Sequence, residues 1–234
     1  MQRFYLERRF GEQMKITDTI MYNQITRVLR ARVGNEYIFF NSTDNIDYVY
    51  KIDSIDKNTV VLSQIEKINK LEYNLEINLY QSLPNKHEKI DNIIQKGVEV
   101  GISNFYFYKG ERSQKLDVEA KKITRFQKIM GEAVEQSGRN KMPDLEFTDK
   151  LDFNTDKNEL NLFFHTNSEN SLNLKSLDFS GFKTINIFVG PEGGFSDNEV
   201  LNFEKDGFKR VNLGENIMRT ETVGTVVGFY IRQS

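Results

Sequence analysis

Phe188-Val189-Gly190-Pro191-Glu192-Gly193-Gly194-Phe195-Ser196-Asp197-Asn198-Glu199 is the stretch on which the fold turns. An apolar run, Thr184–Val189, enters three glycines set around a proline. Ser196, with Glu199 three residues on, then forms the capping box that opens a helix. Strand, tight turn and capped helix together make the repeating unit of an α/β sheet. The glycines let backbone amides approach a ligand closely, and the proline fixes the turn. This is not a phosphate loop, because no Gly-Lys-Ser/Thr follows, and it is not the dinucleotide G-x-G-x-x-G. A tight turn with a purely structural role explains the same residues equally well.

The pattern extends in both directions. Downstream, the capped helix ends near Gly207, Arg210–Leu213 reads as a strand, and Thr222–Ile231 reads as a helix with Val223, Val226, Val227, Tyr230 and Ile231 on one side. Upstream, Leu75–Leu83, Asn104–Tyr108 and Asn161–Phe164 read as strands. Lys86–Glu99 is helical, with Ile90, Ile93, Ile94 and Gly97 on one side and Gly101 past its end. Asp117–Arg139 is a long amphipathic helix with Ile123, Phe126, Met130, Ala133 and Ser137 at helical spacing, and Pro143 is expected to stop it. This alternation predicts a mostly parallel sheet with helices on both faces and a ligand site beyond the carboxyl ends of its strands.

Residues 1–70 read differently. Tyr37–Phe40, Tyr48–Ile52 and Thr59–Leu62 are short β-branched or aromatic runs between turn formers, with one short helix at Asn23–Leu29. They predict a small barrel or sandwich, joined by a polar linker at Glu66–Asn74 to a second domain spanning 71–234.

Two further stretches carry candidate chemistry. Leu213-Gly214-Glu215-Asn216-Ile217-Met218-Arg219-Thr220-Glu221-Thr222 lies between a strand and a helix and places apolar residues in a loop. Such a loop either walls a ligand site or packs under its neighbour. Glu132, Gln136 and Arg139 form one stripe on the long helix, away from the Phe126/Met130 face. Alone, that stripe reads as a solvated face.

Composition narrows the classes. The 234 residues hold 38% hydrophobic and 28% charged residues, the profile of an ordinary globular chain. With no cysteine, disulfides and thiolate metal sites are excluded, and the two histidines, His87 and His165, argue against a histidine metal site. No run approaches a membrane span, and no signal peptide opens the chain, so a cytoplasmic protein is expected. The net charge of −2 is unevenly spread. Residues 1–32 carry seven basic residues against three acids, and residues 109–141 carry nine against five. These are either two sites of anion recognition or two solvated faces.

Taken together, GPEGGFS, LG-x-x-I-x-R-T-E-T, QKGVEVGI (Gln95–Ile102), ERS (Glu111–Ser113) and EQSGR (Glu135–Arg139) with Pro143 resemble, in order and spacing over roughly 75–234, the bacterial small-subunit ribosomal RNA uridine-N3 methyltransferases of the RsmE family, a SPOUT class. The resemblance implies an α/β domain with a trefoil knot, S-adenosylmethionine bound in the knot, a homodimer, and a PUA-like β-barrel holding RNA in residues 1–70. The implied partner is 16S ribosomal RNA, in the assembled small subunit, with no metal and no membrane. The chain departs from the family pattern at Gln24, where histidine is common, at Asn216, where a basic residue is usual, and at Met218, where leucine is usual.

Carried onto this chain, the resemblance assigns cofactor contacts to Phe164, His165, Thr166, Val189, Gly190, Glu192, Gly193, Gly194, Leu213, Gly214, Ile217, Met218 and Thr220. Leu213, Ile217 and Met218 would wall the adenine ring. Arg219 is the candidate for stabilising negative charge, and Glu132 and Glu221 are candidate general bases. Arg3, Arg27, Arg30, Arg112, Gln136 and Arg139 are the expected RNA contacts. A SPOUT methyltransferase acting on transfer RNA or large-subunit RNA, and a homologue that binds RNA without catalysis, are the competing readings.

Overall fold

The computed structural model describes residues 1–71, 74–151, 158–167 and 169–234. The chain forms two compact units, Met1–Glu72 with Val134–Met142, and Tyr73–Ala133 with Pro143–Ser234. The sequence places one break after Lys70; the short return of 134–142 to the first unit leaves no mark in composition.

The first unit is a five-stranded sheet in the order β1-β3-β4-β5-β2. Its strands are β1 (Arg3–Tyr5), β2 (Gln13–Ile16), β3 (Glu36–Phe40), β4 (Ile46–Ile55) and β5 (Val60–Asn69). Period-2 alternation turns Tyr37 and Phe39 of β3, Tyr48, Tyr50 and Ile52 of β4, and Val60 and Leu62 of β5 into one aromatic-rich core with Phe4, Met14, Ile16 and Ile25. Register shifts between Val49 and Tyr50 and between Ile52 and Ser54 bend the long β4–β5 pair. The sheet curls around that core as the half-barrel of a PUA-like domain, with β1 and β2 left as edges.

Three expectations change here. Glu66–Asn69 is not linker but the end of β5, and Glu72 and Tyr73 lie outside the described residues. The helix expected at 23–29 is α1 (Thr19–Asn23), whose N-cap Asp18 accepts from the Met21 amide at 2.8 Å, running into a π-helical turn at Gln24–Val28. Arg3 is no surface arginine. Its guanidinium is buried, donates to Asp47 Oδ1 at 2.7 Å, Asn140 Oδ1 at 2.6 Å and the Arg139 carbonyl at 3.1 Å, and lies over the Phe40 ring. It clamps the 134–142 return to the sheet and has no face to offer a phosphate. β1 and β2 escape sequence reading because three or four residues carry too few alternations to register.

In the second unit, seven described strands form one parallel sheet in the order β10-β12-β9-β11-β6-β7-β8. They are β6 (Glu76–Ser82), β7 (Asn104–Tyr108), β8 (Asp144–Thr148), β9 (Glu159–Phe164), β10 (Leu172–Asn173), β11 (Thr184–Val189) and β12 (Lys209–Asn212). The helices are α2 (His87–Glu99), α3 (Ala120–Ser137), α4 (Asp197–Lys205) and α5 (Thr220–Gln233). α2 and α5 cover the face bearing Leu79 and Phe105. Gly97 and Gly224 stand so close to these two side chains that a Cβ would fall 2.5 and 2.8 Å from their atoms. α4 covers the other face, with Val200 and Phe203 on Phe163 and Phe188. Central strands read as continuous apolar runs because both faces are covered. The sheet is of the SPOUT type that the motifs imply. α3 ends at Ser137 because Gly138 adopts φ +84°, the left-handed stop of a helix, well before Pro143.

A buried asparagine row crosses the middle of this sheet. Asn104 donates to Asn78 at 2.9 Å, Asn78 to Asn186 at 3.0 Å, and Asn186 to Asn161 at 2.8 Å. The Asp144 amide donates to Asn104 at one end, and Glu159 accepts from Asn186 at the other. All four asparagines sit opposite one another in strand register. A one-residue slip of any of these strands would strand these amides in an apolar layer, so the row fixes the register that aligns the strand ends.

Candidate functional site

The carboxyl ends of three neighbouring strands, β12, β9 and β11, open into a cavity of about 720 Å³ in the second unit. Phe164–Thr166 leave β9, Val189–Phe195 leave β11, and Val211–Met218 leave β12, all lining it. Every residue expected to contact the cofactor lies on its wall: Phe164, His165, Thr166, Val189, Gly190, Glu192, Gly193, Gly194, Leu213, Gly214, Ile217, Met218 and Thr220.

The glycine turn is closed by a hydrogen bond from Gly194 N to the Pro191 carbonyl at 2.9 Å. A Cβ on Gly190 would press to 3.1 Å against backbone atoms of Gly194 and Phe195, so the turn can be this tight only with glycine there. Gly214 adopts φ +107°, which L side chains rarely take. Asn212 links the two loops beside it: its Nδ2 donates to the carbonyls of His165 and Thr166, and its Oδ1 accepts from the Gly214 amide at 2.7 Å. A second link is Gln81, near the end of β6 and buried. It donates to Thr220 Oγ1 at 2.9 Å, and Thr220 in turn donates to the Gly190 carbonyl at 2.6 Å. This pins the start of α5 to the glycine turn.

Charge in the cavity is organised by Lys89 of α2. Its ammonium meets Glu192 at 2.6 Å and Glu221 at 3.6 Å. Burial works against ionising Glu192, but hydrogen bonds from Lys89 and the Asn85 amide overcome it and hold the carboxyl below its usual range. His165 is held below the ordinary imidazole range by burial first, then by the nearby Arg210 and Arg112. Its Nδ1 accepts from the Asn167 amide at 3.0 Å, which also favours the neutral ring. Arg112, expected as an RNA contact, lines the cavity and braces the turn, reaching the Gly193 carbonyl at 3.3 Å and Asp197 at 3.7 Å.

Arg219 and Glu221 line the cavity; Glu132 does not. Glu132 is exposed on α3 and faces Lys128 at 3.8 Å. Its helical stripe points it to solvent, so nothing at the cavity involves it within one chain. Arg219 is exposed, and among the described residues it makes no ion pair, neither with Glu215 nor with Glu221. Gln136 and Arg139 belong to the first unit, as do Arg27 and Arg30, both exposed. Sequence reading missed Lys89, Gln81 and Asn212. Each is a lone polar residue outside the glycine motifs, and only folding brings it to them. Among the described residues no group of His, Asp and Glu is placed to hold a metal ion, and no helix is long and apolar enough to cross a membrane.

Comparison with known proteins places this geometry. The family described as RNA methyltransferase domain matches residues 71–231. A ribosomal RNA small subunit methyltransferase E from Buchnera aphidicola is 34% identical over 209 residues, covering 86% of this chain and 81% of that protein. The protein of that name from Aquifex aeolicus is 28% identical and covers 95% of both chains. The crystal structure of the methyltransferase E of Neisseria gonorrhoeae, bound to S-adenosylmethionine, superposes with a TM-score of 0.85 at 26% identity, covering 100% of this chain and 97% of that one.

Proposed function

The chain belongs to the RNA methyltransferase family, among the ribosomal RNA small subunit methyltransferases E, and on that premise we propose that it transfers a methyl group from S-adenosylmethionine to N3 of a uridine in small-subunit ribosomal RNA. The observation that carries the reading is the single cavity wall formed by both glycine loops, with a free arginine at its mouth.

The residues present suit this cofactor. Gly190 and Gly214 keep the backbone bare at the cavity, Leu213 and Met218 give an apolar wall, and Ile217, 81% exposed, leaves a large apolar side chain for a ring to cover. When bound, the cofactor supplies a methyl group already activated by its sulfonium. What remains falls to the chain: to align the base, relieve N3 of its proton, and stabilise the resulting negative charge. Arg219 is placed for the last task, since a guanidinium stays charged and no protein group occupies it. Glu221 is placed for the proton, being the one of the two candidate bases that reaches the cavity; Lys89 orients it. Gln136 and Arg139 are proposed to hold the RNA.

We further propose a homodimer built on α5, whose outward Val226 and Phe229 leave apolar surface exposed. Gly224 and Gly228 are not part of that surface: they pack inward on Leu79 and Ile102.

The test of the reaction uses the purified chain, labelled S-adenosylmethionine and small ribosomal subunits lacking the modification, followed by nucleoside mass spectrometry. N3-methyluridine is expected. Label on another atom, on another RNA, or on none would overturn the proposal.

A further inference from the structure

Three charged residues reach the cavity from two helices. Lys89 lies in the first turn of α2, Arg219 is the N-cap of α5, and Glu221 follows two residues later. All three line the cavity. Glu221 brings an acceptor with nothing to accept. Its side chain is only 11% exposed, and its Oε2 receives no hydrogen bond among the described residues. The Lys89 ammonium stands 3.6 Å away, too far to bond that oxygen and close enough for both to meet neighbouring atoms of one ring edge. A buried carboxylate oxygen left unbonded destabilises the fold, so its natural complement is a donor that arrives with a ligand.

Lys89 also carries more donors than the fold uses. Its ammonium gives Glu192 one hydrogen bond at 2.6 Å, and the Asn85 amide holds the same carboxylate at 3.1 Å. Two ammonium hydrogens remain for a ligand. Arg219 is exposed and makes no ion pair among the described residues, which leaves its planar fork free as well. The cavity therefore offers one acceptor, flanked in space by Lys89 and in sequence by Arg219.

That set complements one base edge. Uracil presents acceptor, donor, acceptor in its O4, N3–H and O2. Cytosine presents its N4 amine, a bare N3 and O2, and so sets a lone pair against the carboxylate. We propose that Lys89, Glu221 and Arg219 select uracil over cytosine, Glu221 accepting N3–H while Lys89 and Arg219 donate to the two ring carbonyls. The same contacts serve the reaction. The N3–H bond breaks towards Glu221, its electron pair stays on the ring and takes the methyl carbon, and the carbon–sulfur pair returns to sulfur. The charge that the proton leaves behind spreads onto O2 and O4, where the two cations stand. Lys89 is thus a specificity residue as well as a brace for Glu192. The inference rests on the uridine-N3 reading and names the groups that make the base a uridine.

The test uses the full chain and small ribosomal subunits carrying uridine or cytidine at the position the chain methylates. Binding is measured with S-adenosylhomocysteine present, so that no turnover intervenes. The wild-type chain is expected to bind the uridine subunit about tenfold or more tighter. Lys89→Met should cut that preference about threefold or more and slow methylation at saturating cofactor and RNA, whereas Lys89→Arg, still a donor, should keep most of both. Glu221→Gln, whose amide can donate to a bare N3, should bring the two subunits close to equal affinity. A brace alone would behave differently: Lys89→Met would weaken cofactor binding and leave the uridine preference intact. That result overturns the proposal, as does equal binding of both subunits by the wild-type chain. An unchanged preference in Glu221→Gln overturns it too, and keeps the test decisive if Lys89→Met does not fold. Methylation of the uridine subunit at N3 by the wild-type chain, measured alongside, reports separately on the underlying reading. Its absence refutes the reaction itself, and its presence with an unaltered preference in the variants refutes the base selection alone.

Discussion

Arg219 is the residue on which binding and chemistry separate. It lies at the cavity, exposed, with no ion pair among the described residues, so removing it leaves no buried charge behind. Arg219→Ala is expected to lower the single-turnover rate at saturating cofactor and RNA by about a hundredfold, as loss of a charge-stabilising donor does, with cofactor affinity little changed. Arg219→Lys keeps the charge without the planar fork and should fall between. A near wild-type rate for Arg219→Ala would remove it from the chemistry. His165 makes a prediction in pH. Burial and two arginines depress its folded-state pKa below 6.5, so the unfolded chain binds the proton more readily. Its contribution to stability is therefore complete above about pH 6.5 and is lost as pH falls towards the folded value. His165→Gln should flatten the acid limb of the thermal midpoint measured between about pH 7.5 and 5.5. An unchanged limb would exclude the histidine as its source.

Among the elements, the strand ends matter more than the helices. The glycine motifs supply loops, but the loops form one wall only because β12, β9 and β11 are neighbours with their ends in line. The asparagine row is what holds that line. Asn186 both donates to Asn161 and accepts from Asn78, and it is almost wholly buried. Asn186→Asp keeps the shape but places an acceptor against acceptors, and so should destabilise the chain by about 2–4 kcal/mol in denaturant unfolding. Loss of well under 1 kcal/mol would show that the row tolerates a broken link. The long helix teaches a related point. Its apolar spacing places Phe126, Met130 and Ala133 correctly, yet its end was legible at Gly138, which reads as a left-handed stop, rather than at Pro143.

For the whole molecule, net charge says little, since 32 basic and 34 acidic residues nearly cancel. Local excess says more but overcounts: of the seven basic residues in 1–32, Arg3 is spent inside the fold on Asp47 and Asn140. The proposed dimer is the remaining expectation at this scale. Light scattering should give twice 27.4 kDa at micromolar concentration, and Phe229→Asp should shift it to the monomer while leaving the circular dichroism spectrum folded. A fully active 27.4 kDa species would sink the dimer.

The sequence by itself determined the parallel α/β domain, a small β-rich unit before it, and the two glycine loops that the cavity uses. Those are set locally: apolar runs make strands, a serine and a glutamate cap a helix, and glycines permit turns that other residues forbid, all within a few residues of chain. Tertiary structure decided the rest. Lys89 stands 103 residues from Glu192, its nearest carboxylate, Gln81 139 residues from Thr220, and Arg3 137 residues from Asn140. Whether an arginine meets solvent or a buried carboxylate, and whether a glutamate stands in a cavity or on an outer helix face, depends on which strands become neighbours. That is fixed by packing and register across the sheet, where sequence separation has no bearing.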